Sequence, residues 1–228
     1  MIDTYLFDLD GTLIDTAPEI ADGVNDTLRR LGHAGVEDEQ VRGWIGEGTR
    51  ALLGKALRHV GVSDAMLPSE LARAWAGFEL DYAARCGTRS VPYPGALAAL
   101  DRIAAAGLPM AMVTNKEAAF AHRILVAHGL TAYFDVIVAG DTLAVRKPDA
   151  AMVQHALQAL GVGAGNAVMV GDSAIDVRTA RAAGIPAWIV RHGYHHGELT
   201  GDATPDRFIE HFDDLAQAAE LPARVSIF

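Results

Sequence analysis

The chain reads as an α/β protein, a parallel sheet covered by helices and interrupted near its start by a helical insertion. Three observations predict this. Apolar runs of strand length recur at Thr4–Phe7, Pro109–Val113, Val136–Ala139, Ala167–Val170 and Ala187–Val190, and unbroken apolar runs suit strands covered on both faces. Helical periodicity fills the intervals between the later runs, and strands alternating with helices indicate βαβ units. The first interval, from Asp15 to Pro92, holds about eighty residues without a strand signal, too long for an ordinary connection.

Taken in order, the first strand ends in Asp8-Leu9-Asp10-Gly11-Thr12. The interval that follows repeats apolar residues at helical spacing, as in Ile20, Val24, Leu28 and Leu31, and further helices are expected at Thr49–Val60 and Ser69–Ala84. The return falls at Pro92-Tyr93-Pro94-Gly95. This divides the chain into a core of residues 1–15 and 92–228 and an inserted helical domain of residues 16–91. Within the core, helices are expected at Gly95–Ala106, Glu117–His128, Asp149–Leu160 and Ile175–Ala183. Gly107, Gly129, Gly161 and Gly184 supply stop signals. One short helix, Ile209–Ala219, is expected in the tail.

Composition excludes several classes. Half of the 228 residues are hydrophobic, which suits a well-buried globular protein and argues against disorder. Lys and Arg number 19 against 29 Asp and Glu, a net charge of −10, so neither nucleic acid nor an anionic membrane is an expected partner. No apolar stretch approaches the roughly 20 residues of a membrane span. The single cysteine, Cys86, permits no internal disulfide and suits a reducing cytosol. The N-terminus carries no secretory signal pattern, so a cytoplasmic location is expected.

The ends of the predicted strands carry the chemistry, because open α/β sheets bind ligands there. Asp8 and Asp10 stand close enough to repel, and the turn therefore asks for a divalent cation, a shared proton, or both. A calcium-binding EF-hand is excluded: counted from Asp8, Glu19 does fall at the twelfth position, but Thr12 and Leu13 hold the fifth and sixth. The second strand end, Val113-Thr114-Asn115-Lys116, reads equally as a helix N-cap or a phosphate-binding turn, with Lys116 a solvated or rim residue. Arg146-Lys147-Pro148 precedes a helix; Arg146 is ambiguous. Gly171-Asp172-Ser173-Ala174-Ile175-Asp176 ends the fourth run, and its two acids would also suit a helix N-terminus.

All four sites, in this order, resemble the motifs of the haloacid dehalogenase superfamily. The resemblance covers essentially the whole chain. It implies a Rossmann-like three-layer core with a C1-type helical cap, and phosphoryl transfer through an aspartyl-phosphate with Mg2+. Carried over residue by residue, it makes Asp8 the nucleophile and Asp10 the general acid and then base. Thr114 and the following Asn115 N–H would bind the phosphoryl oxygens, and Lys147 would offset charge. Magnesium would take the Asp8 and Asp172 carboxylates and the Asp10 carbonyl, with Asp176 supporting metal waters or Lys147. Aspartate at position 10 separates the chain from the dehalogenases and phosphonoacetaldehyde hydrolases. Further stretches are similar to the phosphoglycolate phosphatase branch: Ala17-Pro18-Glu19-Ile20, Trp44-Ile45-Gly46-Glu47-Gly48, Pro92-Tyr93-Pro94-Gly95, Val113-Thr114-Asn115-Lys116, and Gly193-Tyr194 before Gly197-Glu198.

The resemblance therefore implies a phosphoric monoester hydrolase acting on a small phosphorylated metabolite, with 2-phosphoglycolate leading, as monomer or homodimer. A phosphatase or mutase for another sugar phosphate, or a phospho-aspartate signalling receiver, are the alternatives. The loop Gly46-Glu47-Gly48-Thr49-Arg50, with Arg50 or Arg42, is expected to meet the non-phosphate end of the substrate. Gly161–Gly165 lies between a helix and a strand, the reverse of a dinucleotide-binding turn. His192, His195 and His196 read as loop or rim histidines, with a transition-metal site the alternative.

Overall fold

The computed structural model describes residues 2–194 and 199–218. Six strands form one parallel sheet: β1 (Thr4–Phe7), β4 (Met110–Val113), β5 (Val136–Val138), β6 (Ala167–Gly171), β7 (Ala187–Val190) and β8 (Arg207–Ile209), in the order β5-β4-β1-β6-β7-β8. Alternation along each strand builds two layers. Tyr5, Phe7, Met110, Met112, Val168 and Val170 face α5 (Ala96–Ala105) and α6 (Ala118–Ala127). Leu6, Ala111, Val113 and Met169 face α7 (Ala151–Leu160) and α8 (Ala174–Ala182). Both faces are thus buried, which explains the unbroken apolar runs, and each of the larger aliphatic, Met and Phe side chains contributes roughly 1.5–3 kcal/mol. β1 is flanked by β4 and β6, so the winding changes direction beside it, where such sheets open a crevice.

The two strands at the junctions of the insert were not legible. β2 (Ile14–Asp15) pairs antiparallel with β3 (Val91–Pro92), Ile14 opposite Pro92, at the two places where the chain enters and leaves the helical insert. Each is two residues long, too short to leave a periodic signal. The insert comprises α1 (Ala17–Arg30), α2 (Asp38–Arg42), α3 (Thr49–His59) and α4 (Leu67–Arg85), packed around Ile20, Val24, Leu28, Leu53, Leu57 and Phe78. Phe120 of α6 enters this cluster edge-on to Tyr82, ring centres 4.9 Å apart. Glu19, fully buried in the first turn of α1, accepts hydrogen bonds from the N–H groups of Gly87 (3.0 Å), Arg89 (3.3 Å) and Ser90 (3.0 Å). It thereby ties the returning segment to the outgoing one.

The tail corrects the expected helix over Ile209–Ala219. Arg207–Ile209 instead extends the sheet, with Phe208 beside Ile189, and a shorter helix, α9, spans Asp213–Ala218. Asp214 accepts from the N–H groups of Glu210 and His211 at 3.1 Å each, fixing the turn that separates them. No helix among the described residues is long and apolar enough to cross a membrane.

Candidate active site

Asp8 follows β1 directly, and its N–H donates to the Val170 carbonyl of β6 at 2.9 Å. That bond fixes the first acid beside Asp172, which follows β6. Lys147 reaches the same point from the loop after β5. Its Nζ lies 3.0 Å from Asp8 Oδ1 and 2.7 Å from Asp176 Oδ1, with the side chain 1% exposed. The Lys147-Pro148 peptide is cis. Burial opposes the lysine's charge, but Asp176 and Asp8 outweigh it and hold the ammonium above the ordinary lysine range. Burial pushes the Asp8 carboxyl up to about 6 despite Lys147, with Asp176 and Asp10 adding to the rise. Burial, Asp176 and Asp8 likewise push Asp172 well up.

Asp8, Asp172 and Asp176 can bring carboxylate oxygens within 4.8 Å of one another, and the Lys147 ammonium pairs with two of them, Asp8 and Asp176. Such a cluster of hard oxygen donors fits a divalent cation of the magnesium type. Asp176 has little capacity left for a metal. Its Oδ1 accepts from Lys147, and its Oδ2 from the Asp172 and Ser173 N–H groups and the Ser173 hydroxyl. That leaves Asp8 and Asp172 as the side chains that could hold the ion. Asp172 Oδ2 also accepts from Tyr194 N–H at 2.7 Å. Glycine is required around it: a β-carbon on Gly11, whose φ is +77°, would collide with Asp172 Oδ2, and one on Gly193 with Asp172 Cβ.

Asp10 faces other partners. Thr16 Oγ1 donates to its Oδ1 at 2.6 Å, and Lys116 Nζ lies 3.0 and 3.2 Å from its two oxygens. This corrects the solvated reading of Lys116. The residue is 5% exposed and its Nζ sits 4.8 Å from the centre of the Tyr82 ring of α4. The insert thus supplies one wall of this lysine's surroundings and Asp10 of the core another. Cys86, half-buried near this ring, has its thiol pushed up to about 11 by burial, far from the thiolate a nucleophile needs.

Thr114 and Asn115 follow β4 and line the cleft between core and insert together with Asp8, Asp10 and Lys116. Thr114 is not the N-cap of α6, which is Glu117. Its Oγ1 accepts from Lys116 N–H at 3.3 Å, leaving the hydroxyl proton available to a ligand. The Asn115 side chain does more than sequence suggested. Its Nδ2 donates to the carbonyls of Gly46 (2.9 Å) and Lys147 (3.1 Å), and its Oδ1 accepts from Lys147 N–H at 2.9 Å.

From the insert, Gly46, Gly48, Ile20, Ile45, Leu52 and Phe78 close the cleft. Glu117 latches it, accepting from Thr49 Oγ1 at 2.5 Å and from Arg146 Nη2 at 3.3 Å. Arg146 therefore has a defined partner. A β-carbon on Gly48, φ +91°, would strike the Arg146 guanidinium. Arg42 bonds Asp15 at 3.2 and 3.3 Å and lies over the Tyr194 ring, 4.9 Å from its centre. Arg50 is exposed and lies over Trp75 at 4.4 Å. Neither arginine is among the residues that line the cleft.

Tyr194 was not singled out from its chemistry, only as part of a resemblance, yet it links two regions. Its hydroxyl donates to Asp15 Oδ1 (2.7 Å) and accepts from the N–H groups of Thr16 (2.9 Å) and Ala17 (3.1 Å). His192 Nε2 lies 3.0 Å from the Thr12 carbonyl, its ring against Tyr93; His195 and His196 lie outside the described residues.

Residues 2–184 match the family model of the haloacid dehalogenase-like hydrolases. A phosphoglycolate phosphatase of Yersinia pestis is 36% identical over 218 residues, covering 95% of this chain and 93% of its own. A plasmid phosphoglycolate phosphatase of Cupriavidus necator is 41% identical over 189 residues, covering 83% and 80%. Among solved structures, a predicted phosphoglycolate phosphatase from Haemophilus somnus superposes with a TM-score of 0.88 at 25% identity, over 96% of this chain and 98% of that one. CbbY from Rhodobacter sphaeroides, in complex with xylulose-(1,5)-bisphosphate, gives 0.77 at 26% identity, over 93% and 95%.

Proposed function

The chain belongs to the haloacid dehalogenase-like hydrolases as a phosphoric monoester hydrolase, and on that premise we propose that it hydrolyses 2-phosphoglycolate through an Asp8-phosphate. The observation that carries this reading is the convergence of Asp8, Asp10, Thr114, Lys147 and Asp172 at the carboxyl ends of neighbouring strands, beneath a loop from the helical insert. The curated relatives, matched over most of their length, supply the substrate.

In this reading an Asp8 oxygen attacks phosphorus in line as the ester P–O bond breaks. Asp10 gives its proton to the departing oxygen, then takes one from the water that cleaves the acyl phosphate. Lys147, paired with Asp8, offsets charge gathering on the phosphoryl oxygens. The Thr114 hydroxyl and Asn115 N–H orient those oxygens. Magnesium held by Asp8, Asp172 and the Asp10 carbonyl would supply further positive charge at the phosphate. Asp176 fixes Lys147 and the turn that presents Asp172. The insert acts as the cap, with Gly46 and Gly48 meeting the non-phosphate end of the substrate. Arg42 or Arg50 would join them only by leaving Asp15 or Trp75.

Phosphate release tests this over small esters that include 2-phosphoglycolate and pentose bisphosphates, with and without magnesium, for wild type and Asp8→Asn. Multiple turnover of 2-phosphoglycolate that needs both metal and Asp8 is expected. Turnover by Asp8→Asn, or survival of activity in excess chelator, would overturn the mechanism. A stable phosphoprotein without turnover would point to a signalling receiver.

A further inference from the structure

The cleft presents its charge unevenly. Its insert side is apolar, with Ile20, Ile45, Leu52 and Phe78, and among the described lining residues Lys116 is the single cation. An anionic substrate with a second negative group therefore has one place to put it, since apolar walls hold a bare carboxylate poorly. Both arginines expected to serve are engaged elsewhere, Arg42 with Asp15 and Arg50 over Trp75.

We propose that Lys116 is the specificity residue of this site, binding a substrate carboxylate carried on the carbon next to the phosphorylated oxygen. The proposal rests on the phosphatase reading above and deepens it to a substrate class: phosphate esters of short 2-hydroxy acids. Distance selects the class. Lys116 Nζ stands 3.0 Å from Asp10, and Asp10 must come within about 2.7 Å of the ester oxygen to protonate it. The ammonium is thus at most about 6 Å from that oxygen. A carboxylate separated from the ester oxygen by one carbon extends roughly 3 Å towards it, leaving one hydrogen-bond length to Nζ. An added methylene would carry the charge more than about 1 Å further along the cleft, where no second cation lines it among the described residues.

Lysine suits this double duty because its three donors sit on one rotatable ammonium. Asp10 engages that ammonium on one side and the Tyr82 ring lies beneath it. Closure of the insert buries it, so its field is little screened by water.

The test is the ratio of kcat/KM for 2-phosphoglycolate over ethyl phosphate, the ester of matching length without the carboxylate. A ratio is insensitive to the fraction of protein that folds. Wild type should prefer 2-phosphoglycolate, and Lys116→Met should lower the ratio about 10- to 100-fold, the worth of one charge-assisted hydrogen bond, chiefly through KM. Wild type should also prefer 2-phosphoglycolate to the phosphate ester of 3-hydroxypropionate. Equal losses on both esters, with the ratio kept, would confine Lys116 to supporting Asp10 and overturn the proposal. So would a wild type that turns over both esters alike; in that outcome the phosphatase reading stands, because Asp8→Asn judges that reading separately.

Discussion

Removing the charge of Asp8 should stabilise the metal-free protein, and increasingly so as pH rises. Asp8 is 7% exposed, and its carboxyl is raised from 3.8 to about 6, with burial outweighing the help from Lys147. A carboxyl raised in the folded state contributes stability below the unfolded value, near 3.8, and loses it as pH climbs through about 6. That gap, at about 1.4 kcal/mol per pH unit, is worth about 3 kcal/mol. Asparagine cannot ionise, and its Oδ1 can still accept the Leu9 N–H that Asp8 takes at 2.8 Å. Lys147 keeps Asp176 as a partner. About half of the cost is already present at pH 5, so the stability of Asp8→Asn relative to wild type should grow by roughly 1.5 kcal/mol between pH 5 and pH 8. For a chain of this size that is a Tm difference of roughly 3–6 °C. Urea and thermal unfolding in chelator would read it, and saturating magnesium should reverse the order. A gap that stays flat with pH, or narrows, would refute burial as the dominant influence on Asp8.

Lys147→Met leaves Asp8 and Asp176 buried without their cation, and should cost about 3–5 kcal/mol in urea unfolding with chelator; magnesium should recover part of the loss. Gly193→Ala drives a β-carbon into Asp172, with an expected cost of about 1–3 kcal/mol and roughly 10- to 100-fold weaker magnesium binding by calorimetry. Tyr194→Phe strips the acceptor from Thr16 N–H and should cost about 1–3 kcal/mol. Its magnesium affinity should match wild type, because Asp172 is held by the backbone N–H of that residue.

The parallel core was legible because β1, β4, β6 and β7 are buried along their whole length, leaving apolar runs bounded by polar turns. The acids Asp8 and Asp172 were legible for the same reason, since each directly follows a strand, whereas Lys147, in the loop after β5, stood out only through the family resemblance. What failed depends on contacts distant in sequence. Thr114-Asn115-Lys116-Glu117 looks like an ordinary solvated helix start, and partners distant in sequence turn it inward, Asp10 and Tyr82 for Lys116, Thr49 and Arg146 for Glu117. Glu19 gave no sign of its three N–H partners around residues 87–90, since nothing near α1 announces them. The tail misled because Phe208 and Ile209 fit a helical stripe as well as a strand, and the open edge of β7 decided between them.

Asn115 divides one amide between the lysine loop and the insert, holding Lys147 through its backbone and Gly46 through its carbonyl. A substrate too bulky for Gly46 to return to that amide would remove one of the restraints on the Lys147 loop. Poor fit at one end of the molecule would then appear as slower chemistry at the other. Discrimination would be written into kcat as well as KM, and a misfit ester could occupy the cleft yet leave intact.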